Sequence, residues 1–438
     1  MTLSNRNGRA FAAAAAVSAL LAGCSTPSND SALPAAGAPV AGSLQMSYWG
    51  SSTRVEKTDR INALFERKYP KASVQTQVGD FATYFDKLNV QAASSSMPCV
   101  TGLQTRQLND YTHDGLLQPL DPLVASGAID VGSIPKNLLD TGRGPDGKLY
   151  MVPYGAAWNA LMVDQEMARR AGVKPLPMRY SWTDFVSWLK DAKSKLPAGV
   201  APTTSQGGNE PVFSAYVIGS GEKMFDDDGK IAFSKKTLTE YWKLWEHLRE
   251  AGLTNSAEDA ADEPAQPEQF YVTTGKVLSE PTAGNALVAA SAAAPDEHLT
   301  TVPFPTGSAG LGNAFFNSGW SIPARCGNKA TAAAYIDFFT NDDRAAAVYD
   351  SDNGAVANRS QLKQQLDRPS SPALQQELQV YDFILGEKVP QPLIPSGYNT
   401  TFEQAFTRGY ENIEFGRKSI SQAVDDFFAE AEINLGTR

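Results

Sequence analysis

The chain has 438 residues, which is more than one hydrophobic core usually supports, so two lobes are expected. Hydrophobic residues make up 42% of it and charged residues 20%, as in an ordinary globular protein. The net charge is −10 and no basic cluster stands out, so nucleic acid is excluded as an expected partner, because such binding depends on neutralising phosphates.

The N-terminal segment has the features of an export signal. Arg6 and Arg9 precede an apolar run, Ala10 to Ala22, that is too short to span a bilayer. Residues 1–23 are therefore predicted to be a signal peptide, and no later apolar run reaches spanning length. The sequence Leu21-Ala22-Gly23-Cys24 resembles the lipobox of bacterial lipoproteins. That resemblance implies cleavage before Cys24, acylation of its thiol by chains such as palmitate, and a lipid anchor on the outer face of the cytoplasmic membrane. The alternative is an ordinary signal peptide with an incidental cysteine.

Residues 24–43 are rich in Ser, Pro, Ala and Gly and are predicted to form a flexible tether. Strand and helix patterns alternate from residue 44 onward. The successive segments are a strand at 44–48, a helix that stops before Pro70, a strand at 74–78, a helix around 84–88 and a buried strand at 100–103. This alternation indicates an α/β protein in which helices cover a parallel sheet.

The rest of the chain continues the mixed pattern. The predicted segments are a strand at 159–163, a helix at 166–171 stopped by Gly172, a helix opened by a capping box at Ser181 and Asp184, a helix at 238–248, an extended segment at 314–323 and a helix capped by Asn328. The last third is helical in pattern.

Several motifs in order resemble one family. They are Phe65-Glu66-Arg67-Lys68-Tyr69-Pro70, Gly115 to Asp121, Gly147 to Tyr154, Thr274-Gly275-Lys276-Val277 with Gly284-Asn285 beyond it, Asn317 to Pro323, and the helix Ala330 to Thr340. Their order and spacing resemble the extracytoplasmic solute-binding proteins of ABC importers, in the carbohydrate group that includes maltose-binding protein. The chain departs from the family at Pro98-Cys99-Val100, where Pro-Asp-Val is usual, and at Val277-Leu278-Ser279.

The resemblance implies an α/β, two-lobe periplasmic-binding-protein-like fold of type II, with a ligand cleft between lobes joined by a hinge. Lobe one would comprise residues 44–155 and 310–350, and lobe two residues 156–309 and 351–438. It further implies a monomer that catalyses no reaction, needs no cofactor and works with the transmembrane subunits of an ABC permease.

The cysteine count bears on the redox state. If Cys24 carries lipid, Cys99 and Cys326 remain in an oxidising compartment, where they form either a disulfide or two separate thiols. In the fold implied by the resemblance, the third strand begins where the return strand ends. The resemblance therefore predicts a Cys99–Cys326 disulfide within lobe one.

Candidate ligand residues follow from where strands end. In open parallel α/β sheets, ligands bind beyond the carboxyl ends of the strands. A sugar site needs aromatic platforms and side chains that donate and accept hydrogen bonds. The candidates are Trp49, Gly50, Gln104, Tyr154, Trp158, Glu280, Asn285, Gly319, Trp320 and Asn353. The alternative interpretation of each tryptophan is that it packs in the hydrophobic core. The three histidines are scattered without metal-ligand spacing, so no metal site is predicted.

The expected function is capture of a mono- or oligosaccharide outside the membrane and its delivery to a permease. Two alternatives remain open. The same fold could bind a phosphorylated polyol or a peptide, or the chain could be a secreted carbohydrate-active enzyme with paired carboxylates across a cleft.

Overall fold

The computed structural model describes residues 33–435 except residue 265. The predicted signal peptide and the predicted lipid site at Cys24 lie outside the described residues. Within them, no helix is both long and apolar enough to cross a membrane.

The strands form two sheets. They are β1 (Gly42–Trp49), β2 (Ala72–Gly79), β3 (Val100–Gln104), β4 (Val152–Ala156), β5 (Asn159–Asp164), β6 (Ala201–Thr203), β7 (Val277–Ala283), β8 (Leu299–Val302), β9 (Ser318–Ser321) and β10 (Ala355–Val356). The first sheet has the order β10-β4-β9-β3-β1-β2 and the second β6-β7-β5-β8. Lobe one is built on the first sheet and lobe two on the second, which confirms the predicted two-lobe α/β fold.

Seventeen α-helices lie in the described part of the chain. They are α1 (Ser52–Lys68), α2 (Phe81–Ala93), α3 (Thr105–His113), α4 (Asp121–Ala125), α5 (Lys136–Leu139), α6 (Gln165–Ala171), α7 (Trp182–Lys193), α8 (Glu210–Gly219), α9 (Lys235–Glu250), α10 (Ala257–Ala261), α11 (Leu287–Ala293), α12 (Lys329–Asn341), α13 (Asp343–Tyr349), α14 (Arg359–Asp367), α15 (Pro372–Gly386), α16 (Gln404–Glu414) and α17 (Ile420–Asn434). A π-helical turn, Tyr398–Glu403, precedes α16.

Local sequence signals account for several helix ends. Ser181 and Asp184 form the predicted capping box at the start of α7, which satisfies backbone N–H groups that the helix leaves unpaired. Gly172 ends α6 in the left-handed conformation, with φ of 69°, as predicted from its position. Asn328 precedes α12 without the predicted side-chain cap, and its amide Nδ2 donates to the carbonyl of Ala41 at 2.9 Å.

The segment before β1 differs from the predicted tether. The Ala36 N–H donates to the Ser126 carbonyl at 3.2 Å, and the Ser126 hydroxyl donates to the Pro34 carbonyl at 3.1 Å. Thr331 Oγ1 accepts from the Ala41 N–H at 3.1 Å and donates to its carbonyl at 2.8 Å. Residues 33–43 therefore pack against lobe one, and the prediction of a flexible tether over 24–43 is wrong for them, because composition does not show that backbone groups find partners elsewhere.

The predicted boundary between the lobes at residue 350 also disagrees with the pairing of the strands. Ala355 and Val356 of β10 pair antiparallel with Ala156 and Gly155 of β4 in the first sheet. Lobe one therefore includes a strand that the predicted division assigns to lobe two. The turn before β10 contains Gly354 at φ of 95°, which a residue with a Cβ would adopt only with strain.

The disulfide between Cys99 and Cys326 is present, as the resemblance predicted. It links the start of β3 to the segment that follows β9, which run antiparallel as neighbours. The two residues are 227 positions apart, so the bond closes a loop that contains most of lobe two.

Candidate functional site

The carboxyl ends of three parallel strands form one edge of the first sheet. β1 runs parallel to both β2 and β3, so Trp49, Gly79 and Gln104 end at the same side. β9 is antiparallel to β3, with Ser318 opposite Gln104, and therefore begins at that side. This side, which we call the lobe-one edge, is where ligands bind in open parallel sheets.

The second sheet presents a matching edge. Asn159 at the start of β5 pairs with Ala283 at the end of β7, and β6 runs parallel to β7. The segments that follow β6 and β7 therefore lie at the side where the chain enters lobe two. We call this side the lobe-two edge. Only residues 157–158 separate β4 from β5, so the two edges are adjacent, and we call the space between them the cleft.

Arg106 connects the lobes at this cleft. Its Nη1 lies 3.3 Å from Oε1 of Glu403, and its guanidinium lies 4.2 Å from the ring centre of Phe316. Its backbone carbonyl accepts from Asn399 Nδ2 at 3.4 Å. Arg106 Nε is buried and makes no hydrogen bond among the described residues. Within the guanidinium of Arg106, Nη1 is therefore the atom that pairs with lobe two.

The predicted aromatic platforms are buried. Trp320 stacks on Tyr154 with ring centres 4.6 Å apart, and Trp158 stacks on Tyr381 at 5.2 Å. Trp49 is 5% exposed and contacts Phe81 and its neighbours on α2. Protein side chains cover the faces that a sugar would use, so in this structure these residues pack the core instead of offering a platform.

The sequence interpretation missed Phe81. This residue begins α2 one residue after β2 ends, is 48% exposed, and its ring centre lies 5.6 Å from that of Trp49 in an edge-to-face contact. Trp49 therefore packs against Phe81 at the lobe-one edge. The available signal was its position as the first apolar residue after the strand that ends at Gly79.

The predicted polar contacts fall into two groups. Gln104, Asn285 and Asn353 lie half-buried at strand ends, and Asn285 Oδ1 makes no hydrogen bond among the described residues. Asn353 donates from Nδ2 to the Tyr154 hydroxyl at 3.0 Å. Glu280 instead is buried inside lobe two, where its carboxylate accepts from the Val272 N–H at 2.8 Å.

The two glycines predicted at the site occupy tight positions. A Cβ on Gly319 would lie 2.4 Å from the Met151 side chain, and one on Gly50 would lie 2.5 Å from the Arg54 side chain. Real Cβ atoms do not approach other atoms so closely, so both positions are packed against protein. The structure gives a packing reason for glycine at 319, and its contact with a solute stays a prediction.

Buried carboxyls line the lobe-two side. Glu210 is 2% exposed and accepts a hydrogen bond from the Tyr398 hydroxyl. Burial raises the pKa of Glu210 to about 7, although the charge of Arg106 opposes the shift. Burial likewise raises the pKa of Glu280 to about 8, and the negative charge of Glu263 adds to this rise. These carboxyls can therefore be protonated near neutral pH and then donate as well as accept hydrogen bonds.

A cavity of about 300 Å³ opens beside these carboxyls, between the loop after β6 and α16. We call it the acidic cavity. Its lining consists of Ser205, Gly208, Asn209, Glu210, Pro211, Ala260, Ala261, Glu263, Glu403, Thr407, Tyr410, Glu411 and Glu414. Glu403, which reaches Arg106, joins the cavity to the cleft.

The sequence profile of a family described as bacterial extracellular solute-binding protein matches residues 49–346, which is more than half of the chain. The chain belongs to this family. The resemblance that the motifs indicated is confirmed.

Individual relatives agree in fold. A binding protein of Brucella abortus is 22% identical over 314 residues, which are 70% of this chain and 73% of the relative. The GacH receptor of Streptomyces glaucescens, solved unliganded and with acarbose, is 18% identical with a TM-score of 0.72, over 89% of this chain and 97% of that chain. An ABC substrate-binding protein of Listeria monocytogenes in complex with cycloalternan is 18% identical with a TM-score of 0.74, over 88% and 97%.

Proposed function

We propose that this solute-binding protein captures a carbohydrate outside the cytoplasmic membrane and delivers it to the permease of an ABC importer. The two solved structures named above hold sugars or sugar mimics in the same fold. Ligand contacts from both lobes would favour a closed form that the permease recognises, and the protein would perform no covalent chemistry.

The chemistry of the two edges supports a polyhydroxylated solute. One observation carries the proposal: Phe81, 48% exposed, lies at an edge where Gln104 and Asn353 supply amides. An aromatic face packs against the C–H face of a sugar, while amides and protonated carboxyls donate to and accept from its hydroxyls. Gln104, Asn285 and Asn353 therefore remain in the proposed site, and Phe81 replaces the buried tryptophans as its platform.

We also propose a lipid anchor at Cys24, which the lipobox-like sequence Leu21-Ala22-Gly23-Cys24 supports. β1 begins at Gly42, so residues 33–41 enter lobe one at the amino ends of the strands, opposite the lobe-one edge. A lipid on Cys24 would hold the protein at the membrane. Replacement of Cys24 by Ser should release the protein from the membrane fraction, and retention of the variant in that fraction would contradict the anchor.

A thermal-shift screen tests the substrate class. Neutral mono- and oligosaccharides, polyol phosphates and short peptides would each be added to the purified chain. Stabilisation by a carbohydrate is expected, because a ligand that binds only the folded state raises its stability by mass action. Stabilisation by a peptide or a polyol phosphate and by no carbohydrate would contradict the proposal.

The same samples test for catalysis. Any carbohydrate that stabilises the protein should be recovered intact after prolonged incubation, as judged by chromatography. Appearance of cleavage products that depends on the protein would instead support a carbohydrate-active enzyme.

A further inference from the structure

We propose that Arg54 is a positioning residue, which holds the turn 350–354 so that the Asn353 amide is presented to the solute. The inference rests on the proposed function and assigns a further residue to its site. β10 follows this turn and pairs antiparallel with β4, whose Gly155 lies opposite Ser318 at the lobe-one edge. The turn therefore lies at that edge, and its shape sets the position of Asn353.

The backbone of this turn is strained. Asp350 and Ser351 have φ of 47° and 53°, in the left-handed region that residues with a Cβ rarely occupy, and Gly354 has φ of 95°. Such conformations cost free energy, so they persist only where contacts with the surrounding structure hold them. Backbone strain of this kind occurs preferentially at sites that contact ligands. The contacts that hold this turn are therefore expected to matter for the site.

Arg54 links the turn to the end of β1. Its Nε donates to Asp352 Oδ2 at 2.8 Å, and its Nη2 donates to the Asp352 carbonyl at 3.2 Å. Its Nη1 donates to the Trp49 carbonyl, also at 3.2 Å. All three nitrogens of one rigid, planar group are therefore engaged, and they fix both the side chain and the backbone of the residue that precedes Asn353.

A second cation, Lys57, contacts the same aspartate. Its Nζ lies 3.4 Å from Asp352 Oδ1 and donates to the Tyr349 carbonyl at 3.2 Å. The side chains of Arg54 and Asp352 are only 20% and 14% exposed, so solvent screens their attraction less than that of a surface pair. Of the two cations, Arg54 is the one that also holds the Asp352 backbone.

Two glycines leave space for this arrangement. A Cβ on Gly50 would lie 2.8 Å from Cβ of Arg54 and 2.9 Å from its Cγ. A Cβ on Gly155 would lie 2.2 Å from the Asn353 carbonyl oxygen and 2.4 Å from the Tyr349 hydroxyl. A side chain at either position would displace Arg54 or the turn, because packed atoms do not approach each other so closely.

The Asn353 side chain is held as well. Its Nδ2 donates to the Tyr154 hydroxyl at 3.0 Å, and its backbone N–H donates to the Tyr349 hydroxyl at 3.1 Å. Among the described residues, no hydrogen bond ends on Asn353 Oδ1. A solute hydroxyl that donates would pair with this oxygen, and an amide that is already held loses little freedom when it binds.

Hydrogen exchange tests the positioning without a solute. In Arg54→Gln, the backbone amides of residues 350–356 are expected to exchange about fivefold faster than in the native chain, because the contacts to Asp352 and Trp49 are lost. Unchanged exchange in this variant would overturn the inference.

Arg143→Gln is the matched control. Arg143 also makes three hydrogen bonds in lobe one, to Asp140, to Asp121 and to the Gly147 carbonyl. Its replacement should leave exchange of residues 350–356 as in the native chain. Equal acceleration in both variants would show a general loss of stability and would overturn the positioning role.

A double-mutant cycle tests the link to the solute. Titration calorimetry would use the neutral mono- and oligosaccharides of the thermal-shift screen, beginning with maltose. Asn353→Ala and Arg54→Gln are each expected to weaken binding about fivefold. In the Asn353→Ala background, Arg54→Gln should weaken binding by less than about twofold further, because it acts through the amide that is already absent.

Equal losses in the two backgrounds, or no loss in Arg54→Gln, would overturn the positioning role. Unchanged affinity of Asn353→Ala would also overturn it, while the proposed function would stand because the carbohydrate still binds. Binding of no carbohydrate by the native chain would overturn the proposed function, and this inference with it.

Discussion

Arg106 and Glu403 join the two lobes through an ion pair of 3.3 Å between Nη1 and Oε1. Arg106 lies at the start of α3 in lobe one, shortly after β3. Glu403 is the last residue of the π-helical turn in lobe two. Both side chains are partly exposed, at 20% and 31%, so solvent weakens their attraction. The pair spans the two lobes, so it is expected to favour the arrangement in which the lobes lie close together.

Replacement of Arg106 by Gln should weaken solute binding by about fivefold, or about 1 kcal/mol, because the closed form loses a partly exposed ion pair. Titration calorimetry would measure the affinity, and small-angle scattering the fraction of closed molecules. Arg408→Gln is the matched control, since its partner Glu430 lies within lobe two. Equal loss of affinity in both variants would contradict a role at the lobe contact.

Replacement of Phe81 by Ala should weaken carbohydrate binding by about 3- to 10-fold, since an aromatic contact contributes about 0.5–1.5 kcal/mol beyond its buried area. The melting temperature should change little, because the side chain is 48% exposed. Val90→Ala, at a 70% exposed position on the same helix, serves as the control. Unchanged affinity of Phe81→Ala would remove this residue from the site.

The sequence alone predicts the architecture because strand and helix periodicities are local. The capping box at Ser181 and the stop at Gly172 both appear where expected, since their geometry depends on neighbours in the chain. The Cys99–Cys326 pairing followed from the family fold, not from the cysteines themselves.

The candidate site is harder to predict because burial depends on distant partners. Trp320 lies at the expected strand, yet it is covered by Tyr154, which comes from a strand adjacent only in space. Glu280 was expected at the cleft, but its carboxylate is buried in lobe two, where it accepts a hydrogen bond from the Val272 N–H. Residues that converge from α16 and the loop after β6 to form the acidic cavity share no sequence motif.

The disulfide should contribute measurably to stability. Replacement of both Cys99 and Cys326 by Ser is expected to lower the free energy of unfolding by about 2–5 kcal/mol, because the bond restricts the unfolded chain over a separation of 227 residues. Chemical denaturation would measure this free energy of unfolding. The binding affinity should stay within about twofold, since the bond lies at the start of β3, away from the lobe-one edge. Equal stability of the oxidised protein and the variant would contradict the prediction.

The pair of Glu280 and Glu263 should make stability depend on pH. Burial, and then the charge of Glu263, raise the pKa of Glu280 to about 8 in the folded protein. In the unfolded chain it is near the usual value of about 4.3. Because the folded state holds the proton more tightly, the contribution of Glu280 to stability is full below about pH 4 and is lost as the pH rises through about 8.

Glu280→Gln should remove the part of this decline that Glu280 contributes, while keeping the acceptor that the Val272 N–H requires. Relative to the native chain, the variant should gain stability at pH 8 and lose that advantage towards pH 5, as measured by urea denaturation at each pH. Glu268→Gln, on the exposed surface, should follow the native profile. A Glu280→Gln profile parallel to that of the native chain would show that Glu280 ionises in the folded state as readily as in the unfolded one.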